Sequence, residues 1–320
     1  MAPIFTVMGA TGAQGGSVIE AALKSGLYQL RGVTRNIGSE KAKALVERGV
    51  EVVAADLDDE GSLVTAFEGS AVVYGVTNFL ETFSADGPDA AIVVEGQQGR
   101  NLATAASKTK TLQHYIWSTL PDARRISKGK HSVPHFEAKA AVDEFIKADA
   151  ELYSKTTFLR VGYYAQNLMY PVLGPSLLNS TGKYIQLGPV PPSLPISSIG
   201  DIRTNVGVFT SAILAQPSLT KGKYVLASME ETTLGKMLEM WSNATGKPSV
   251  YLQVMDAQAY DNLWPTWGRE MELMLKYWDD VDSEVAWGGN ENLTKSDLGL
   301  KDEDFVGVQE AFKKLDWSHL

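Results

Sequence analysis

The stretch that most constrains this chain is Thr6-Val7-Met8-Gly9-Ala10-Thr11-Gly12-Ala13-Gln14-Gly15-Gly16, where an apolar run (Pro3 to Met8) gives way to a helical pattern (Gln14 to Leu23). A strand, a glycine turn and a helix N-terminus in that order form a cradle for a dinucleotide pyrophosphate. The free N–H groups of the helix's first turn and the helix dipole both face the negative charge. Gly9 permits the tight turn, Gly12 lets the backbone approach the phosphates, and Gly15 lets the helix pack on the strand. The spacing is G-x-x-G-x-x-G rather than G-x-G-x-x-G, which sets the unit apart from the commoner Rossmann fingerprint.

From this turn the chain alternates strand and helix, the pattern of a parallel sheet covered on both faces. We expect strands at Phe5–Met8, Gln29–Val33, Val50–Ala55, Ala71–Val76, Gln113–Ser118 and Thr157–Val161. Between them we expect a helix ending near Gly26, one over Ser39–Arg48 stopped by Gly49, one starting after Asp58-Asp59 and running toward Phe67, and longer ones over Val94–Ser107 and Pro134–Ala148. The rhythm then breaks in a proline-rich stretch over 171–199, which reads as loop and short strands. A helical pattern returns at Ile202–Leu214, followed by a strand at Tyr224–Ala227 that could return to the main sheet. Six of the seven tryptophans follow residue 240. The expected architecture is α/β: a doubly wound Rossmann sheet over 1–165, a smaller C-terminal α+β substrate or partner lobe over 166–320, and a ligand cleft between them.

Composition removes several functions. The chain has no cysteine, which excludes disulfides, thiol nucleophiles and cysteine-held metals, and His114, His131, His135 and His319 share no metal-ligand spacing, so no metal is expected. A net charge of −9 argues against direct nucleic-acid binding. No apolar run reaches bilayer length, and the early first strand leaves no room for a signal peptide. A cytoplasmic protein is expected, with a nuclear presence open, so the glycosylation sequons at Asn179, Asn243 and Asn292 are read as chance. No G-x-S-x-G elbow supports a hydrolase. Oligomeric state is open.

The end of the second strand selects the cofactor. Where an acidic residue would bind the 2′-hydroxyl of NAD, the chain has Arg35-Asn36, with Lys41 on the next helix. A guanidinium suits a 2′-phosphate in charge and in fork geometry, so NADP(H) is expected; the alternative is a solvated surface arginine. Asp56 is placed to accept from the adenine amino group, with Leu57 against the ring, or else to serve as a turn residue. Further along, Thr77-Asn78-Phe79 arrive at the carboxyl edge on the fourth strand and Ser118-Thr119 on the fifth. His135 and Lys139, four apart, share one helix face. A lysine one turn from a proton donor, beside a nicotinamide ribose, is the machinery of hydride transfer: it binds ribose hydroxyls, and its charge eases proton release.

These residues together resemble the NmrA-like group of atypical short-chain dehydrogenase/reductases, closest in flavour to fungal members. Leu159-Arg160-Val161-Gly162-Tyr163-Tyr164-Ala165-Gln166-Asn167-Leu168 and the closing Asp297-Leu298-Gly299 also resemble that group. The resemblance implies NADP(H) contacts at Gly9, Ala10, Thr11, Gly12, Ala13 and Gln14, at Arg35 and its neighbours, at Asp56-Leu57, at Thr77, Asn78 and Phe79, at Lys139, and at Tyr164, Ala165, Gln166 and Asn167. It also implies that His135 stands where ordinary members have the tyrosine of Tyr-x-x-x-Lys. Relatives with this replacement include NADP(H)-sensing regulators of transcription factors as well as enzymes of fungal secondary metabolism.

Two functions follow. One is an NADPH-dependent oxidoreductase of a small secondary metabolite, with Lys139 orienting the ribose, His135 donating a proton, and Ser118, Tyr163 or Tyr164 polarising a carbonyl or imine. The other is a non-catalytic redox sensor that regulates a protein partner such as a transcription factor. We favour the first. The basic loop Arg124-Arg125-Ile126-Ser127-Lys128-Gly129-Lys130-His131 could hold an anionic substrate or close as a lid, or be a solvated loop. Among Trp264, Trp267, Tyr277, Trp278 and Trp287, most read as lobe core, and Trp264 and Trp267 as pocket residues for a flat apolar substrate.

Overall fold

The computed structural model describes residues 2–318 and Leu320; His319, weighed above as a metal ligand, lies outside them. Strand β1 (Ile4–Met8) turns into α1 (Ala13–Ser25), β2 (Gln29–Thr34) into α2 (Glu40–Glu47), and β3 (Glu51–Ala54) into α3 (Glu60–Phe67). Strand β4 (Ser70–Gly75) leads into two helices, α4 (Phe79–Asp86) and α5 (Pro88–Lys108). Strand β5 (His114–Thr119) passes through the short α6 (Ala123–Ile126) to α7 (Pro134–Ala148), and α8 (Ala150–Lys155) returns the chain to β6 (Thr156–Val161).

Local chemistry sets these boundaries. Gly26 ends α1 in the left-handed conformation (φ 64°), its N–H donating to Ala22 O. Ser39 and Asp59 cap α2 and α3 by accepting from the N–H groups of Ala42 and Ser62. Strands β4, β5 and β6 are buried along their whole length, as central parallel strands are.

Beyond β6 lie β7 (Tyr163–Tyr164), β8 (Ser176–Leu178), β9 (Lys183–Gly188) and β10 (Pro195–Gly200), then α9 (Ile202–Ala215) and α10 (Pro217–Thr220). Strands β11 (Lys223–Ala227) and β12 (Glu230–Thr233) precede α11 (Leu234–Thr245) and β13 (Ser249–Gln253). Helices α12 (Ala257–Leu263), α13 (Trp267–Asp280) and α14 (Ser283–Ala286), strand β14 (Asn292–Leu293) and helix α15 (Val308–Lys314) close the fold.

The main sheet has eight strands in the order β14-β11-β6-β5-β4-β1-β2-β3, and its pairs are parallel. It is a Rossmann-like α/β sheet. Two three-stranded sheets accompany it, β12-β10-β7 and β13-β9-β8. Val18 and Ile19 of α1 and Val206 and Phe209 of α9 pack on one face of the main sheet, against Val7, Ile116 and Val225. Leu63 of α3, Leu102 of α5 and Val142 of α7 pack on the other, against Val73, Trp117 and Phe158. A third core gathers Trp241, Tyr260, Tyr277, Trp278 and Trp287 around Phe136 of α7. Strand order reverses at β1, which lies between β2 and β4, and the crevice outside the carboxyl ends of such a reversal is where open α/β sheets bind ligands.

Candidate active site

A cleft of about 760 Å³ opens at that edge, running from the glycine turn to the aromatic core of the C-terminal segment. Gly9 takes the left-handed conformation (φ 60°) and its carbonyl accepts from Gly12 N–H at 2.8 Å. A Cβ on Gly15 would lie 2.3 Å from Gly9 O, so the helix sits directly under the turn. Helix α1 has no side-chain cap and no acidic residue in its first turn, so its N–H groups face the cleft without internal competition. This cradle fits a pyrophosphate. Gln14 braces it from below, accepting from Tyr74 OH (2.7 Å) and Ser118 Oγ (2.8 Å) and donating to Tyr164 OH (3.0 Å).

Arg35, Asp56 and Leu57 line the end of the cleft beside β2 and β3. The Arg35 guanidinium forms a two-pronged pair with Glu81 of α4 (2.7 and 2.9 Å), which holds the Glu81 carboxyl below its ordinary range. Asp56 closes an Asx turn by accepting from Asp58 N–H.

At the other end, α7 presents His135 and Lys139 to the cleft one turn apart. Lys139 is buried, donates to Thr77 Oγ1 at 2.7 Å and pairs with Glu95 of α5 at 3.1 Å. Thr77 donates in turn to Glu95 (2.7 Å), and the other carboxylate oxygen of Glu95 is buried with no partner. His135 Nδ1 meets Glu270 of α13 at 2.5 Å. Glu95 and Glu270 were missed by sequence reasoning. Each lies far from its partner in the chain and on an amphipathic helix, where a carboxylate reads as a solvated-face residue. Part of the cleft wall is apolar: Tyr170, Leu173, Trp267, Met271, Met274 and Trp278. Trp267 stacks on Tyr170 (5.9 Å, 23°).

A model of the NmrA-like family matches residues 2–297. The chain belongs to the NmrA-like family. It is 27% identical to an NmrA-like family domain-containing protein of Dictyostelium discoideum, over 97% of each chain. It is 25% identical to an NmrA-like family domain-containing oxidoreductase of Aspergillus campestris, over 78% of this chain and 75% of the relative. Among solved structures it resembles NmrA, a negative transcriptional regulator, in complex with NADP (TM-score 0.75, 21% identity, 98% of this chain and 95% of that one). It also resembles the triphenylmethane reductase of Citrobacter sp. complexed with NADP(H) (TM-score 0.69, 19% identity, 97% and 99%).

In this NmrA-like protein the cleft wall brings together Gly9, Thr11, Gly12, Ala13, Gln14, Gly15, Arg35, Asp56, Leu57, Thr77, Asn78, Phe79, His135, Lys139, Tyr163, Tyr164 and Asn167. Other sequence-selected residues lie behind that wall or away from it. Ala10 is buried beneath Gly32, and Ala165 is also buried. Gln166 is spent on Asp201 (2.6 Å) and on Ile202 N–H. Ser118 is 2% exposed and turned to Gln14, so as a group to polarise a substrate carbonyl it is misplaced. Asn36 is exposed and closes its own turn with Gly38 N–H, and Lys41 is exposed on α2. Tyr163 lines the cleft, but burial pushes its phenol far above the ordinary range, so it stays protonated. Three cations of the basic loop pair with acids: Arg124 with Glu137, Arg125 with Glu291, and Lys130 with Asp280. Tyr277 is core, Trp278 and Trp287 belong to the same core and also line the cleft, and Trp264 and Trp267 are partly buried and flank a second, apolar pocket of about 420 Å³, Trp267 reaching the cleft as well. Among the described residues, no three His, Asp or Glu side chains gather as a metal site, and no helix is long and apolar enough to cross a membrane.

Proposed function

We propose that this chain binds NADP(H) and reduces a small, flat, largely apolar metabolite by hydride transfer. The observation that carries the reading is the continuity of one cleft: an uncapped glycine cradle, then Lys139 and His135, then a wall of aromatic and methionine side chains. The complexes of the structural neighbours with NADP or NADP(H), and the oxidoreductase relatives, support it. Gly9 to Gly15 would hold the pyrophosphate, Arg35 the 2′-phosphate, Asp56 and Leu57 the adenine, Thr77 to Phe79 the nicotinamide half, and Lys139 its ribose. Tyr164 and Asn167 would close the site from the other side. Bound NADPH supplies the hydride. His135, on the cleft wall, would exchange a proton with the substrate, and the apolar wall would keep water from the reacting atoms. A substrate of this kind and a cytoplasmic or nuclear setting fit a role in secondary metabolism.

Two measurements test the reading. Tryptophan fluorescence should report NADPH binding at least about tenfold tighter than NADH, since a charge-assisted bidentate contact is worth about 1.5–3 kcal/mol. Equal affinities would remove the argument from Arg35. NADPH consumption should then appear on at least one member of a carbonyl, enone and imine panel, and fall in Lys139→Ala and His135→Ala. Tight binding with no consumption on any probe would favour the redox-sensing alternative, which the resemblance to the regulator NmrA supports.

A further inference from the structure

We infer that Glu270 is a positioning residue that sets the tautomer of His135. The inference rests on the reading of His135 as the proton-exchanging group. Glu270 comes from the first turn of α13 and is 2% exposed. Its Oε1 receives both the backbone N–H of His135 (3.2 Å) and Nδ1 of the same residue (2.5 Å). A carboxylate accepts and does not donate, so the proton between them belongs to the histidine and sits on Nδ1. The imidazole is also wedged between Phe79 (5.8 Å) and Phe136 (4.7 Å, edge-on). Turning the ring away would leave a buried carboxylate with only the longer backbone N–H bond from His135, a costly state. His135 lines the cleft, and with Nδ1 taken, Nε2 is the nitrogen left to meet a bound molecule.

The arrangement gives the histidine a definite chemical task. In a reduction, the N–H bond at Nε2 breaks as an O–H or N–H bond forms on the heteroatom of the reduced substrate. The bonding pair stays on nitrogen, and solvent returns the proton to Nε2. NADPH, when bound, would supply the hydride that the substrate carbon takes up. Glu270 opposes the positive charge of the ring before the proton leaves, as the buried carboxylate does in other histidine–carboxylate pairs. The competing role is structural, because the same oxygen caps the N-terminus of α7 through the His135 N–H.

The test reads the ring directly. Nitrogen-15 histidine spectra of the NADP⁺-loaded protein are recorded at about pH 8.5, where an ordinary histidine is neutral, with the His135 signals assigned from His135→Asn. The proton is expected on Nδ1 in the wild type and in Glu270→Gln, whose amide oxygen still accepts, and redistributed toward Nε2 in Glu270→Ala. On any probe that the panel shows to be reduced, Glu270→Ala should lower kcat about 10- to 100-fold with the NADPH Kd unchanged. A wild-type proton on Nε2, or a Glu270→Ala spectrum like the wild type, overturns the inference whatever the turnover. If Glu270→Ala does not fold, the wild-type and Glu270→Gln tautomers decide. The expected tautomer with no NADPH consumption on any probe overturns the reductase reading and leaves the hold of Glu270 on His135 standing.

Discussion

Lys139 and Glu95 face each other on the cleft wall, both buried, and neither is tolerable there without the other. Removing the cation leaves a carboxylate with only Thr77 for company and one oxygen already unpartnered. Breaking a buried pair from one side costs about 3–5 kcal/mol, whereas removing both charges can be close to neutral. Lys139→Met should therefore lower the unfolding free energy by about that amount in urea titrations, and Lys139→Met with Glu95→Gln should recover most of it. NADPH affinity should recover in neither. If the double variant is as unstable as the single one, the pair is not what holds this region. The pairing also changes what Lys139 can do: Glu95 balances its charge, so its hydrogen bonds matter more than its field. The sequence made Lys139 and Thr77 legible because each lies near a strand end or one helical turn from another candidate. Glu95 and Glu270 carry no such marker. Their positions depend on how α5 and α13 pack, which no short-range pattern encodes.

Helix α4 connects the two ends of the cleft. Its inner face holds Phe79 and Phe83, stacked at 5.5 Å, with Phe83 edge-on to Trp267 (5.0 Å) and Phe79 near His135. Its outer face offers Glu81 to Arg35 across a largely exposed contact. A 2′-phosphate must take the guanidinium from Glu81 and sit beside a like charge. Exposed pairs are worth about 0.2–1 kcal/mol, so Glu81→Gln should tighten NADPH binding up to about fivefold and leave NADH unchanged. Fluorescence titration checks this, and an equal change for both cofactors would place Glu81 outside the 2′-phosphate site. Sequence reading passes over α4 and starts the following helix at Val94 instead of Pro88. Eight residues with two inward phenylalanines are too short for a 3.6-residue period to stand out. The break between the helices was nonetheless written in Gly87, with φ 84°, and Pro88 at the first helical position. The boundaries of α1, α2 and α3 were legible from the same kind of signal, at Gly26, Ser39 and Asp59.

At the scale of the molecule, α7 must stay fixed to the sheet for His135 and Lys139 to hold their places, and Asp143 ties it there. The carboxylate accepts from Trp117 Nε1 (2.9 Å) and Thr119 Oγ1 (2.7 Å) of β5 and from Tyr224 OH (2.9 Å) of β11. Arg160 of β6 stacks on Tyr224 (3.8 Å) and donates to Trp287 O and to Asn292 of β14. The network thus joins β5 and β6 to β11 and β14, strands far apart in the chain, and these long-range partners explain why the two-residue β14 gave no signal in sequence. Burial pushes the Asp143 carboxyl up to about 6, against the pull of its hydrogen bonds and of Arg160. A carboxyl raised in the folded state binds more protons folded than unfolded between about pH 4 and pH 6, so its contribution to stability falls as pH rises through that window. Above it, ionised Asp143 costs about 3 kcal/mol. Glu20, Glu81, Asp149, Asp280, Glu291 and Asp297 are shifted down, and they act the other way: their contributions are present above the unfolded carboxyl range and are lost as pH falls. The wild-type curve alone therefore mixes both signs. Asp143→Asn isolates one of them, because its amide oxygen can keep the bonds from Trp117 and Thr119 while Tyr224 turns to accept. Urea unfolding of the two proteins from about pH 4.5 to pH 7.5 should show the stability of the variant rising relative to wild type across that window and levelling off above it, by up to about 3 kcal/mol. Parallel curves would mean that Asp143 is ionised in the folded protein throughout, held so by Arg160 and its donors.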